Sequence, residues 1–213
     1  MSIAERIHDL SKALPRRVKL VAVSKFKPAC DIMEAYSAGQ RAFGESRPQE
    51  LSAKAAVLPK DIEWHFIGHL QTNKVRSVVE AASLIQSVDS ERLLRAIDKA
   101  AESLGKTARC LMEIHISQES TKQGFSFDEA AEIVGRRSEF PHTKLLGVMG
   151  MASFTSDKEQ VRQEFRILRE FCISLGAEDF NQISMGMSDD FPLAVEEGAT
   201  IVRIGTSIFG SRT

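Results

Sequence analysis

The sequence predicts an α/β protein: a single (β/α)8 TIM-type barrel with an extra N-terminal helix. Three observations carry that reading. Short apolar runs alternate with helical patterns along the whole chain, the rhythm of parallel strands joined by right-handed crossovers. The runs are apolar throughout rather than alternating, as strands covered on both faces are. Eight such runs occur, and no Gly-x-Gly-x-x-Gly follows the first of them, which disfavours an open dinucleotide-binding sheet. A typical barrel has about 250 residues, so a chain of 213 residues implies short loops. No linker, low-complexity segment or charge block divides the chain, and residues 1–213 read as one domain.

The elements follow in order. MSIAERIHDLSKAL sets Ile3, Ile7, Leu10 and Leu14 on one stripe of an amphipathic helix. Charges spaced through it make it unlike a signal peptide. Strands are expected at 18–25, 41–45, 62–67, 84–88, 108–116, 144–151, 180–185 and 200–204. Helices are expected near 29–39, 47–57, 71–82, 90–104, 127–137, 157–175 and 189–197, with a short one after 207. Ser90 caps one helix and Gly105 stops it. Ser126, with Glu129 three residues on, has the capping-box pattern. Gly39, Gly176 and Gly198 each follow a helical pattern.

Composition excludes some function classes. A formal net charge of -1 gives no electrostatic case for nucleic acid or an anionic membrane. No apolar stretch approaches the roughly 18 residues of a spanning helix. Cys30, Cys110 and Cys172 are scattered without a Cys-x-x-Cys pair, which suits reduced thiols in a cytoplasmic protein. The histidines lack a His-Glu-x-x-His arrangement, so no metal is expected.

Barrels collect reactive residues at the carboxyl ends of their strands. The first strand leads straight into Lys25 in KLVAVSKFKP. ISMGMSDD (183–190) and VRIGTSIFG (202–210) follow the seventh and span the eighth, where barrels often hold a phosphate. Ser184, Ser188, Gly205 and Thr206 can form such a cradle, or can simply pack tight turns. Arg203 lies within an apolar strand and must meet a carboxylate such as Glu45 or Asp89, a carbonyl, or a ligand. Its donors cannot be deprotonated near neutral pH, so a ring nitrogen facing it must accept. An amine whose charged form is disfavoured can form a Schiff base with an aldehyde. Lys25 with the cradle and Arg203 therefore suggests pyridoxal 5′-phosphate (PLP). Strand parity does not separate Lys25 from Lys27. The apolar run favours Lys25, since Lys27 is already beside Pro28.

VAVSKFKP, FGES..QE, WHFIGHLQTNK, SVDS, GVMGMASF and ISMGMSDDFPLAVEEGATIVRIGTSIFG occur together in this chain. Their order and spacing resemble the pyridoxal phosphate homeostasis protein family, single-domain relatives of the alanine racemase barrel, over about residues 18–212. The resemblance implies PLP held on Lys25, phosphate contacts from Ser184, Gly205 and Thr206, and Arg203 facing the pyridine nitrogen. It implies a role in intracellular vitamin B6 homeostasis without turnover, with no catalytic residue. Apo-PLP enzymes are the partners that would receive the cofactor. No nucleic-acid or membrane partner is expected, and a monomer is. This chain departs from the family pattern at Ser46 and Arg47 after FGE, at His115, and at TKQG (121–124). The alternative is a racemase or decarboxylase of the same barrel, but those relatives carry a second domain and a tyrosine acid/base. The one tyrosine here, Tyr36, falls in the first crossover helix. A Schiff-base aldolase using Glu45 or His69 is the third reading.

Overall fold

Parallel neighbours need a crossover between them, and the chain supplies a helix for each. In the computed structural model, which describes residues 1–117, 123–176 and 178–210, the order begins with α1 (Ile3–Ala13), β1 (Lys19–Val23), α2 (Ala29–Ser37), β2 (Ala42–Glu45) and α3 (Pro48–Val57). It continues with β3 (Glu63–Phe66), α4 (Val75–Ala81), β4 (Leu84–Val88), α5 (Glu91–Ser103), β5 (Ala108–Ile114) and α6 (Phe127–Gly135). The last elements are β6 (Thr143–Gly150), α7 (Lys158–Ser174), β7 (Gln182–Ser184), α8 (Phe191–Glu196), β8 (Ile201–Ile204) and α9 (Thr206–Phe209). The strands close in sequence order, with β8 returning to β1 through Lys19↔Ile201 and Ala22↔Ile204. The fold is the TIM-type barrel that the alternation predicts.

Period-2 parity divides the apolar residues into two layers. Val21, Ala42, Leu84, Leu111, Leu146, Met149 and Ile201 fill the inside of the barrel. Their neighbours, among them Leu20, Phe43, Phe66, Cys110, Val202 and Ile204, face the helices with Leu51, Leu94, Ile97 and Phe165. Each fully buried side chain of this kind contributes about 1.5–3 kcal/mol.

The signals read from the sequence find their partners. Ser90 Oγ accepts the Leu93 amide. Ser126 Oγ accepts the Glu129 amide while Glu129 accepts from Ser126 in return. Gly105 ends α5 at φ 60°, a conformation that glycine adopts without Cβ strain. On α1, Ile7 is buried and Ile3 and Leu10 are packed against the core; Leu14, also buried, follows the helix. The Arg6 guanidinium ties this helix to α9 through the Ile208 carbonyl at 3.0 Å.

Boundaries shift where local turns win. The first strand stops at Val23, because the Lys27 amide closes a turn onto the Ser24 carbonyl at 3.0 Å and Phe26 takes φ 64°. Lys25 thus lies in a turn past the strand, not at its end. The helix expected at 71–82 is a 3-10 turn, Thr72–Lys74, followed by α4. The expected 127–137 helix ends at Gly135 and is followed by a second 3-10 turn. In the TKQG element, residues 121 and 122 lie outside the described residues. Cys30 is exposed, Cys110 and Cys172 are buried, and all three are free thiols. Among the described residues, no group of three or more His, Cys, Asp or Glu side chains could hold a metal ion, and no helix is long and apolar enough to cross a membrane.

Candidate cofactor site

The turn that carries Lys25 is held from behind by α3. Lys54 Nζ donates to the Ser24 carbonyl at 2.9 Å and to Glu45 Oε1 at 2.8 Å. Ser24 Oγ donates to the same oxygen at 2.6 Å, and the Phe26 amide donates to Glu50 Oε2 at 2.9 Å. Glu45 is fully buried. Burial pushes its carboxyl above the usual range, and Lys54 and Ser24 pull it back. The Arg47 guanidinium lies 4.4 Å from the centre of the ring of Phe26, the residue after Lys25. Lys27 plays a different part, because its Nζ donates to the Phe209 carbonyl at 3.0 Å and closes the carboxyl end of α9.

Across the rim, β8 leads into Gly205 and Thr206. Closure sets Gly205 against β1, where a Cβ would meet the Val23 Cβ at 3.3 Å. The Gly205 amide donates to Ser188 Oγ at 3.4 Å. Ser188 rides on a turn closed by the Met187 amide on Asp190 Oδ1 at 2.5 Å. That turn needs Gly186, which takes φ +90° where a Cβ would stand 2.5 Å from the Ala194 Cβ. Ser188, Gly205 and Thr206 therefore come together, and the first turn of α9 leaves amides without intrahelical acceptors.

Ser184 is not part of that cluster. It is fully buried inside the barrel, where its Oγ donates to Gln86 Oε1 at 2.6 Å and accepts from Arg203 Nη1 at 2.6 Å. Arg203 also donates to the Ser184 carbonyl at 3.0 Å and the Gly150 carbonyl at 3.2 Å. The carboxylates weighed for it, Glu45 and Asp89, are not its partners; carbonyls and a hydroxyl are. Burial lowers its pKa to about 10, against the opposing fields of Glu113 and Asp190, so it stays charged at neutral pH. A guanidinium has five N–H donors. Arg203 uses three of them in hydrogen bonds among the described residues, which leaves two donors uncommitted there.

Three buried polar residues escaped the sequence reading. Gln86, His65 and Glu113 each interrupt an apolar strand, the same signal that singled out Arg203. Lys54, one lysine within a helical pattern, gave no signal of its own. His69 Nδ1 stands 3.1 Å from Asp89 Oδ2, with the imidazole side chain 53% exposed. Tyr36 is far from this mouth: its hydroxyl donates to Asp61, just before β3, and Arg41 lies over its ring before β2. Those are the amino ends of the strands.

The donor set fits a phosphorylated ring with an accepting nitrogen and an amine-reactive substituent. Hydroxyl and amide donors gather at one edge, a buried guanidinium keeps donors beyond its three bonds, and an amine-bearing turn adjoins that edge. Comparison with known proteins points the same way. The family described as alanine racemase, N-terminal domain, matches residues 1–213. The pyridoxal phosphate homeostasis protein of Aquifex aeolicus is 42% identical over 199 residues, 91% of this chain and 87% of that one. The structure of PipY from Synechococcus elongatus with PLP bound is 38% identical, covers 98% of this chain and 100% of its own, and superposes with a TM-score of 0.90. Alanine racemase of Clostridium difficile shares the fold at 13% identity and a TM-score of 0.78, with this chain spanning 57% of its length.

Proposed function

Because the chain belongs to the pyridoxal phosphate homeostasis protein family, on the alanine racemase N-terminal barrel, we propose that it binds PLP at the carboxyl mouth and serves vitamin B6 homeostasis as a carrier rather than a catalyst. When bound, the cofactor supplies an aldehyde that joins a lysine amine reversibly. Lys25, in the turn that follows β1, is the amine on this reading, and Lys27 serves the carboxyl end of α9 instead. Ser188, Gly205 and Thr206 hold the phosphate, and Arg203 turns one of its remaining donors to the ring nitrogen. Ser184 acts through Arg203 by fixing the guanidinium.

One observation carries the proposal: closure brings the Lys25 turn, the Ser188–Gly205–Thr206 cluster and a guanidinium that is charged at neutral pH to the same end of the barrel. The carrier reading is supported by the position of Tyr36, whose hydroxyl is bound to Asp61 at the opposite end. A donor at the ring nitrogen keeps that nitrogen unprotonated, which makes the ring a weaker electron sink.

The test is an absorption spectrum of purified protein after soaking with PLP, followed by borohydride reduction and peptide mapping. A cofactor band is expected, with the label on a peptide containing Lys25 and the band lost in Lys25→Ala. A label on Lys27 overturns the assignment. Saturable racemase or decarboxylase turnover that disappears in Lys25→Ala overturns the carrier reading.

A further inference from the structure

The amino mouth of this barrel holds a cavity of about 480 Å³. Its lining includes Arg17, Lys19, Glu63, His65, Arg109 and Gln182. Three cations meet one carboxylate there. Lys19 Nζ pairs with Glu63 Oε2 at 2.5 Å. Arg17 and Arg109 are left without a carboxylate in salt-bridge reach among the described residues. That volume lies within the range of small-molecule pockets, roughly 300–1,000 Å³.

A polar column runs from this cavity through the barrel to Arg203. A guanidinium only donates, so Ser184 Oγ accepts from it at 2.6 Å. Ser184 is fully buried, and its own proton goes to Gln86 Oε1 at 2.6 Å. The Gln86 amide nitrogen then faces His65 Nδ1 at 2.7 Å and donates to it. His65 must therefore carry its proton on Nε2, which has no protein partner among the described residues, and His65 lines the cavity. The residue is only 2% exposed. Burial, with Lys19 and Arg109 nearby, holds its pKa down at about 4, so the imidazole is neutral at physiological pH. The cavity thus offers a fixed N–H donor beside the charges of Lys19 and Arg109, with Arg17 also in the lining.

We infer that the amino mouth is a second ligand site, taking the oxyanion of inorganic phosphate or of a small phosphomonoester, and that its occupancy reaches Arg203 through His65, Gln86 and Ser184. An acceptor on His65 Nε2–H polarises the column in one direction, because each bond's donor is set by the one before it. The site stands on the cavity alone; its effect on the cofactor rests on Arg203 facing the cofactor ring, as proposed for the carboxyl mouth.

The experiment records imidazole ¹⁵N spectra of cofactor-free protein during titration with inorganic phosphate and, separately, glycerol 3-phosphate. His65 is expected to show the Nε2–H tautomer and a saturable Nε2 shift with Kd below about 1 mM. Arg109→Ala should weaken that response about tenfold or more, whereas Thr206→Val at the opposite mouth should leave it in place. Tighter binding of glycerol 3-phosphate assigns a phosphomonoester, and tighter binding of inorganic phosphate assigns the free anion. A non-saturable shift, or one unchanged in the Arg17→Ala/Arg109→Ala double variant, overturns the site. In PLP-loaded protein, phosphate should displace the cofactor's absorption band. A His65 response with a motionless band overturns the coupling. Failure to load PLP counts against the carrier reading, while the His65 titration still decides the site.

Discussion

Glu113 shows how one inward carboxyl sets a pH response. It lies on β5, nearly buried, and burial lifts its pKa from 4.5 to about 7, with Asp89 adding to the rise and Arg203 opposing it. Its folded pKa is above the unfolded one, so its contribution is complete below the unfolded value and is lost as pH rises through about 7. Cofactor-free protein should therefore lose stability on the order of 3 kcal/mol between about pH 4.5 and pH 8. Glu113→Gln should flatten that fall. Urea denaturation at both ends of the range checks it, and an equal slope in both proteins would refute it. Arg203 itself shows what single residues disclose. That it needs acceptors follows from its place in an apolar strand. Which acceptors it finds depends on Ser184 pairing with Ile201, two residues before Arg203, across β7 and β8. That register belongs to the folded barrel.

The α3 contacts behind the Lys25 turn make a prediction about an element. Lys54 is 12% exposed and binds a fully buried Glu45 together with the Ser24 carbonyl. Lys54→Met should cost about 3 kcal/mol, since it strands a buried carboxyl and frees the turn. It should also speed the loss of PLP. Ser126→Ala on α6 is the matched control: it removes one cap bond, costs about 1 kcal/mol, and should leave PLP retention as it was. Urea denaturation and dialysis rates separate the two. If both variants release PLP at the same rate, α3 is ordinary packing. Elements were legible where local chemistry determines them. The Ser90 and Ser126 caps and the Gly105 stop act within a few residues. The end of β1 was not legible, because nothing marks a phenylalanine for φ 64°. That turn is maintained by Lys54 and Glu50, which lie in a later helix.

At the scale of the whole barrel, closure does what no segment can. His65, Gln86, Ser184 and Arg203 come from four strands and make one column only because β8 meets β1. Alternation of strands and helices announces the barrel, but it cannot say which polar residues meet inside. The same closure joins α1 and the turn after β1 to α9 at the carboxyl rim. Arg6 on α1 donates to the Ile208 carbonyl, and Lys27 after β1 donates to the Phe209 carbonyl. Two cations from the start of the chain thus satisfy the carboxyl end of α9, whose first residue is Thr206. Removing both in Arg6→Ala/Lys27→Ala should loosen α9 locally. Each lost bond is worth ~1 kcal/mol, so PLP retention should fall at least about fivefold. The core layers, which neither residue enters, should limit the fall in melting temperature to roughly 4–8 °C, the shift that about 2 kcal/mol produces in a chain of this size. Dialysis of loaded protein and a thermal melt of unloaded protein measure the two quantities independently. Unchanged retention would mean that α9 is positioned by its apolar residues, Ile208 and Phe209, and that the Arg6 and Lys27 contacts have no consequence for the ligand.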